Sequence, residues 1–220
     1  IMNPLTDEYP LIRTTLLTSI LENAARNVAR KNTDLRLFDI APVFFPKALP
    51  VTELVHEKLK IAGLITGRRS PIAWDTDNAQ VDFYDMKGIV ERFLAAIGVQ
   101  KYTVERGEHF ALHPGKTAFF KKGRDVIAVV GELHPTIAAN FGIAQNVYIF
   151  EMDAETLLRY RRKKTVIAAL PKYPASTRDL AILVDADLTT SEIDRVIAKN
   201  GGKFFRSATL FDIYMGKQVA

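Results

Sequence analysis

Apolar residues recur at Ile12, Leu16, Ile20, Ala24 and Val28, and Leu17 and Leu21 widen the stripe. That near-fourfold spacing predicts an amphipathic helix over residues 11–30. Residues 35–41 then alternate apolar and polar, the pattern of a strand, and Pro42 restricts that strand to a sheet edge or a bulge. Leu59, Ile61, Leu64 and Ile65 mark a second strand over residues 58–67, followed by a loop over residues 70–80 that holds Trp74. Phe83, Met86, Ile89, Val90, Phe93, Leu94 and Ile97 return to helical spacing, closed by Gly98. Further strands are expected at 101–106 and 147–152, and helices at 135–141 and 154–162. Residues 117–131 read as a hairpin turning at Gly123. Residues 165–170 form either a last strand or a linker.

The last fifty residues have a pattern of their own. The run at 180–184 has strand composition, Thr189 and Glu192 form a capping box ahead of Ile193, Val196 and Ile197, and Gly201-Gly202 ends that helix. Phe204, Phe205, Leu210, Phe211, Ile213 and Tyr214 supply a second strand. A split β-α-β unit normally completes itself with another strand, helix and strand. Only residues 216–220 follow, so the chain reads as a piece of a longer protein. The best boundary is Pro171-Lys172-Tyr173-Pro174, which gives two domains, 1–170 and 171–220.

Composition narrows the chemistry. With 220 residues, 48% hydrophobic and 25% charged, the chain has the make-up of an ordinary soluble globular protein, and it has no apolar run long enough to span a membrane. The absence of cysteine excludes disulfides and thiolate metal sites. A net charge of +5 admits an anionic partner without establishing one. The densest basic cluster, Arg159, Arg161, Arg162, Lys163 and Lys164, sits where a helix dipole already favours cations, so a solvated helix end is a better explanation of it than an RNA contact. His113 and His134 each precede proline; they could face one another across the hairpin and hold a metal, but turn roles are the simpler reading. Asp75, Asp77, Asp82 and Asp85 could bind a cation, yet carboxylates at a helix N-terminus need none. No phosphate-cradling glycine loop or serine nucleophile elbow is present.

Arg178-Asp179-Leu180-Ala181 and Leu210-Phe211-Asp212-Ile213-Tyr214 resemble the first half of the ferredoxin-fold anticodon-binding domain of the bacterial phenylalanyl-tRNA synthetase beta subunit. Upstream, NPLTDEYPLIRTTLL, NVARKN, LRLFDIAPVFF, DFYDMKGIVERFL, LHPGKTAFF and GELHP resemble the preceding domain of that subunit, in the same order. The resemblance implies an α+β fold. Its first part is a class II aminoacyl-tRNA synthetase-like domain, a mostly antiparallel sheet with flanking helices; its second is a partial ferredoxin-like β-α-β unit. In such a unit, the resemblance implies, a third strand lies between the two present here, so both have unpaired edges, and disorder, a rearranged pairing or strand exchange with another copy is expected.

The same resemblance implies that the first domain has the shape of the catalytic domain in the alpha subunit without its residues. There, the second class motif reads like Gly-Arg-Val-Tyr-Arg, and its last arginine contacts ATP. Here Ala41-Pro42-Val43-Phe44-Phe45 puts Phe45 at that place, and Ala41-Pro42 also departs from the Gly-Arg pair usual in beta subunits. The third motif resembles Phe-Gly-Met-Gly-Ile-Glu-Arg-Leu, whereas residues 150–157 put Glu151 and Asp153 at the glycines and Thr156 at the arginine. Losing one positioned electrostatic donor costs about 3–4 kcal/mol in a transition state. Two lost arginines and two gained carboxylates therefore imply no adenylation.

The expected role is a non-catalytic scaffold within a phenylalanine–tRNA ligase of α2β2 composition, cytoplasmic, with ATP and magnesium used by the holoenzyme and no cofactor in this segment. The alternatives are a free-standing RNA-binding module and an autonomous class II-like ligase. Leu16, Leu17, Ile20, Leu21 and Ala24 are the expected contact with the alpha subunit, although the same stripe could pack on its own sheet. Lys172, Arg178, Lys199, Lys203 and Lys217 are the expected contacts to tRNA(Phe). Residues 171–220 carry seven Lys and Arg against six Asp and Glu, a thin surplus for that task. The resemblance implies that the family's editing site and its magnesium-binding acidic residues belong to domains upstream of Ile1, so neither is carried over to this sequence.

Overall fold

The alternating stretch that begins at Leu35 becomes the edge of a six-stranded antiparallel sheet. A computed structural model describes residues 11–51, 53–162 and 172–214. The chain divides into two units, residues 1–164 and 165–220. In the first, the strands are β1 (Leu35–Phe45), β2 (His56–Thr66), β3 (Thr103–Arg106), β4 (Leu112–Lys122), β5 (Asp125–Leu133) and β6 (Val147–Asp153). Their spatial order is β1-β2-β6-β5-β4-β3. The helices of this unit are α1 (Leu17–Ala29), α2 (Phe83–Ala96), α3 (Pro135–Asn140) and α4 (Ala154–Tyr160).

Pro42 lies inside β1, longer than the expected seven residues, and is tolerated because β1 is an outer strand that needs hydrogen bonds along one side only. β2 and β6 are central and mostly apolar. Gly63 and Phe150 are cross-strand partners in that centre, and a Cβ added at Gly63 would overlap the Phe150 ring. The β4–β5 hairpin turns at Gly123, whose φ of +64° is readily reached without a side chain.

Each face of the sheet is covered by helices. Met86, Val90 and Leu94 of α2 and Leu157 of α4 pack with Phe120, Ile127, Val130, Tyr148 and Met152 on one side. Leu17, Ile20, Leu21 and Ala24 of α1 and Ala138 of α3 pack with Leu64, Leu112, Leu133, Val147 and Ile149 on the other. α2 forms where the spacing predicts. Its start is a reciprocal box: Asp82 accepts the N–H groups of Tyr84 and Asp85 at 2.8 and 3.0 Å, and Asp85 accepts that of Asp82 at 2.8 Å. Arg69 bridges both carboxylates.

Two expectations need correction. The first helix starts at Leu17, six residues later than Leu11, because residues 13–16 are drawn into the sheet layer. Phe44 donates its N–H to the Arg13 carbonyl at 2.9 Å, and the Arg13 guanidinium donates to the Pro42 carbonyl at 3.2 Å. In the second unit, neither expected strand forms among the described residues; α5 (Thr190–Asn200) is its one regular element there. Thr189 and Glu192 do form the capping box. Leu180, Leu183, Phe204 and Phe211 remain exposed, as strand-forming residues do when no neighbouring strand accepts their backbone groups. The stretch at 165–170 lies outside the described residues.

Candidate functional site

On the α1 side of the sheet, Ala62 of β2 and Glu151 of β6 are cross-strand partners, so the residues two positions on, Lys60 and Asp153, share that side. The Glu151 carboxylate gathers three donors there: the Thr15 hydroxyl at 2.6 Å, the Leu16 N–H at 2.9 Å and the Lys60 ammonium. Thr15 in turn accepts the Leu17 N–H at 3.2 Å. Two N–H groups at the start of α1 thus find acceptors outside the helix, which fixes where the helix begins. The ion pair is largely buried, with side-chain exposures of 19% for Lys60 and 11% for Glu151.

Phe45 stands on the same side at the end of β1. The ammonium groups of Lys58 and Lys60 lie 5.8 and 5.9 Å from its ring centroid, within reach of a cation–π attraction. His109 completes the neighbourhood. Burial pushes its pKa below the ordinary 6.5, Glu151 opposes that shift and Lys60 reinforces it. Its Nδ1 accepts the Ala111 N–H at 3.3 Å, and its ring lies 4.5 Å from that of Phe110.

Asp153 and Thr156 belong to the start of α4. Asp153 is its N-cap and accepts the Thr156 N–H at 2.8 Å. The Thr156 side chain is buried, and its hydroxyl accepts from Arg159 at 2.9 Å. Phe45, Glu151, Asp153 and Thr156 are thus engaged with the chain's own groups. Lys60 and Thr15 were not singled out from the sequence, and no local signal marks them, since their bonds to Glu151 span 91 and 136 residues.

The histidines and carboxylates flagged in the sequence have structural partners. His113 Nδ1 accepts the Gly115 N–H at 3.1 Å, and His134 Nδ1 accepts the Thr136 N–H at 3.3 Å as the N-cap of α3. Among the described residues no group of three or more His, Asp or Glu side chains could hold a metal ion. Also among them, no helix is long and apolar enough to cross a membrane.

The stripe expected to meet a partner subunit is covered. Leu16, Leu17, Ile20, Leu21 and Ala24 are at most 4% exposed and pack within the chain's own core. The spacing records that this side is buried and says nothing about what buries it; here it is the sheet. Lys172, Arg178, Lys199 and Lys203 are exposed; Arg178 donates to the Thr177 carbonyl at 3.0 Å, and the Lys203 ammonium sits 4.9 Å from the Phe204 ring. Lys217 lies outside the described residues.

Two family models match along the chain. Residues 1–154 match the profile of the phenylalanyl tRNA synthetase beta chain CLM domain, and residues 171–220 that of the ferredoxin-fold anticodon binding domain. The phenylalanine–tRNA ligase beta subunit of Syntrophotalea carbinolica is 40% identical over 100% of this chain and 27% of its own length. That of Geobacter sulfurreducens is 39% identical over 99% of this chain and 27% of its own length. The chain thus spans about a quarter of the length of these relatives. A pyrrolysyl-tRNA synthetase from Desulfitobacterium hafniense is 16% identical, with a TM-score of 0.49 over 66% of this chain and 48% of that one, too distant to bear on function.

Proposed function

We propose, from the premise that this chain belongs to the phenylalanyl-tRNA synthetase beta chain family, that it is a non-catalytic scaffold within a phenylalanine–tRNA ligase. It assembles with an alpha subunit as an α2β2 tetramer in the cytoplasm and contributes to binding tRNA(Phe). The alpha subunit charges that tRNA, using ATP and magnesium. The sheet with its flanking helices is read as a class II synthetase-like domain, and residues 171–220 as part of a ferredoxin-fold anticodon-binding domain.

One observation carries the non-catalytic reading. Around Glu151, the side of the sheet where a class II enzyme would seat its nucleotide is occupied by the chain's own partners: Lys60 is held by Glu151, and Phe45 faces the two lysines. A triphosphate brought there would meet an anchored carboxylate, and among the described residues no arginine bonds Glu151, Lys60 or Phe45. ATP does not fit this residue set. In the second unit, Lys172, Arg178, Lys199 and Lys203 are the proposed phosphate contacts, with Lys217 carried from the sequence.

The test is copurification of the chain with the alpha subunit, followed by aminoacylation of tRNA(Phe) with and without a full-length beta chain. Assembly with the alpha subunit, together with no ATP–pyrophosphate exchange by this chain alone, is the expected result. Failure to associate, or exchange by the chain alone, overturns the reading.

A further inference from the structure

The far end of the sheet, where the β4–β5 hairpin, the α2–β3 connection and the end of α4 meet, gathers cations from three distant parts of the sequence. Four hydrogen bonds and a cation–π contact tie these segments together. The Lys122 ammonium donates to the carbonyls of Gln100 and Lys101 and sits 5.5 Å from the Tyr160 ring centroid. The Tyr160 hydroxyl donates to Asp125 at 2.8 Å, and the Arg162 N–H donates to the Ile97 carbonyl at 3.1 Å. Lys122 therefore serves the two free carbonyls after α2, which is the structural work expected of a cation beside a helix end.

What remains is a surplus that this explanation does not absorb. Glu105 bonds Lys121 at 2.7 Å, and Asp125 already holds Arg159 at 3.5 Å as well as Tyr160. Among the described residues, Lys101, Arg124, Arg161 and Arg162 have no ion-pair partner, and all four are exposed. Four cations with no ion-pair partner among the described residues, on three converging segments, give this surface a positive surplus beside its paired Glu105 and Asp125.

We infer that this surface, centred on Arg124, Arg161 and Arg162, is a second RNA-contacting face, which grips the phosphate backbone without reading sequence. Charge complementarity names the occupant: unpaired guanidinium groups match phosphate oxygens, and closely spaced phosphates supply several at once. The inference rests on the reading that the chain binds tRNA(Phe). It adds a contact outside the anticodon-binding unit, where the charge surplus is one.

The experiment measures binding of the 220-residue chain to a tRNA(Phe) transcript and to a duplex RNA of scrambled sequence across a salt series. Four phosphate contacts predict that affinity falls about a hundredfold between about 50 and about 200 mM salt. The double variant Arg124→Gln, Arg161→Gln is expected to weaken binding to both RNAs alike and to reduce the salt slope by about two. Arg30→Gln, at the opposite end of the sheet, is expected to leave both values unchanged. An unchanged slope in the double variant, with an unchanged melting curve, overturns this surface while leaving the proposed role intact. Loss of alpha-subunit association with RNA binding intact overturns it too, in favour of an acidic protein partner. If the parent chain binds neither RNA, the tRNA-binding part of the proposed role fails with it.

Discussion

The Glu151 carboxylate accepts the Leu16 N–H at 2.9 Å across 135 residues of sequence. This bond joins the start of α1 to the middle of β6, and Thr15 and Lys60 complete the arrangement. A side chain standing where the resemblance implies a nucleotide-facing glycine has become part of the framework.

Glu151→Ala should be strongly destabilising. It leaves the mostly buried Lys60 ammonium uncompensated and two donors unserved. Breaking a buried pair from one side costs about 3–5 kcal/mol, whereas an apolar replacement of both partners is often near neutral. Urea unfolding of Glu151→Ala and of the double variant Glu151→Leu, Lys60→Met should therefore give a large loss for the first and a smaller one for the second. Equal losses would mean that the ion pair is not the source.

Phe45→Arg should not confer ATP–pyrophosphate exchange. The new guanidinium would stand near Glu151, which attracts it more readily than it admits a triphosphate. Exchange above background in this variant would show that the anchored carboxylate is no obstacle.

Acid should weaken the fold through His109. Burial lowers its pKa in the folded chain, so the unfolded chain takes up the proton first and stability falls as pH drops below the ordinary 6.5. Asp34 acts lower still. The Arg68 N–H and guanidinium hold its carboxyl below the ordinary 3.8, so its contribution persists above that value and is lost beneath it. Urea midpoints measured from neutral pH down to about pH 5 should decline, and His109→Gln should flatten that decline. An equal slope in the variant would assign it elsewhere.

Backbone amides should divide the chain by exchange rate. Those of β2 and β6, central and paired on both sides, should be the slowest. Those of residues 180–184 and 204–214, without strand partners, should exchange at rates close to those of an unfolded peptide. Slow exchange at 180–184 would reveal a pairing absent from this structure.

Trp74, the sole tryptophan, is 97% exposed. Its emission should change little on unfolding and should be quenched freely by acrylamide. A blue shift on adding the alpha subunit would place the 70–80 loop at the contact.

Much of the fold was legible because its elements carry their own periodicity. Phe83, Met86, Val90 and Leu94 predict α2, and Gly123 predicts the hairpin turn. The start of α1 was not legible, since Ile12 and Leu16 continue the apolar spacing and the stop comes from Glu151, a residue no local pattern links to Thr15. The tail shows the reverse failure: residues 180–184 have strand composition, but a strand needs a neighbour, and composition cannot supply one. At the site, Phe45, Glu151 and Thr156 stood out as departures from a motif. Lys60 did not, because an isolated lysine in a strand looks like any solvated one. The α1 stripe was expected either to meet the alpha subunit or to pack on its own sheet, a choice that spacing alone does not make; Leu17, Ile20, Leu21 and Ala24 are buried in the chain's own core.

Gly63 and Phe150 carry a consequence for any redesign of the sheet centre. The two positions share the space of one ring between them, and the ring occupies the site where the neighbour's first carbon would go. A methyl gained at 63 must be matched by atoms lost at 150, so the two residues are exchangeable only as a couple.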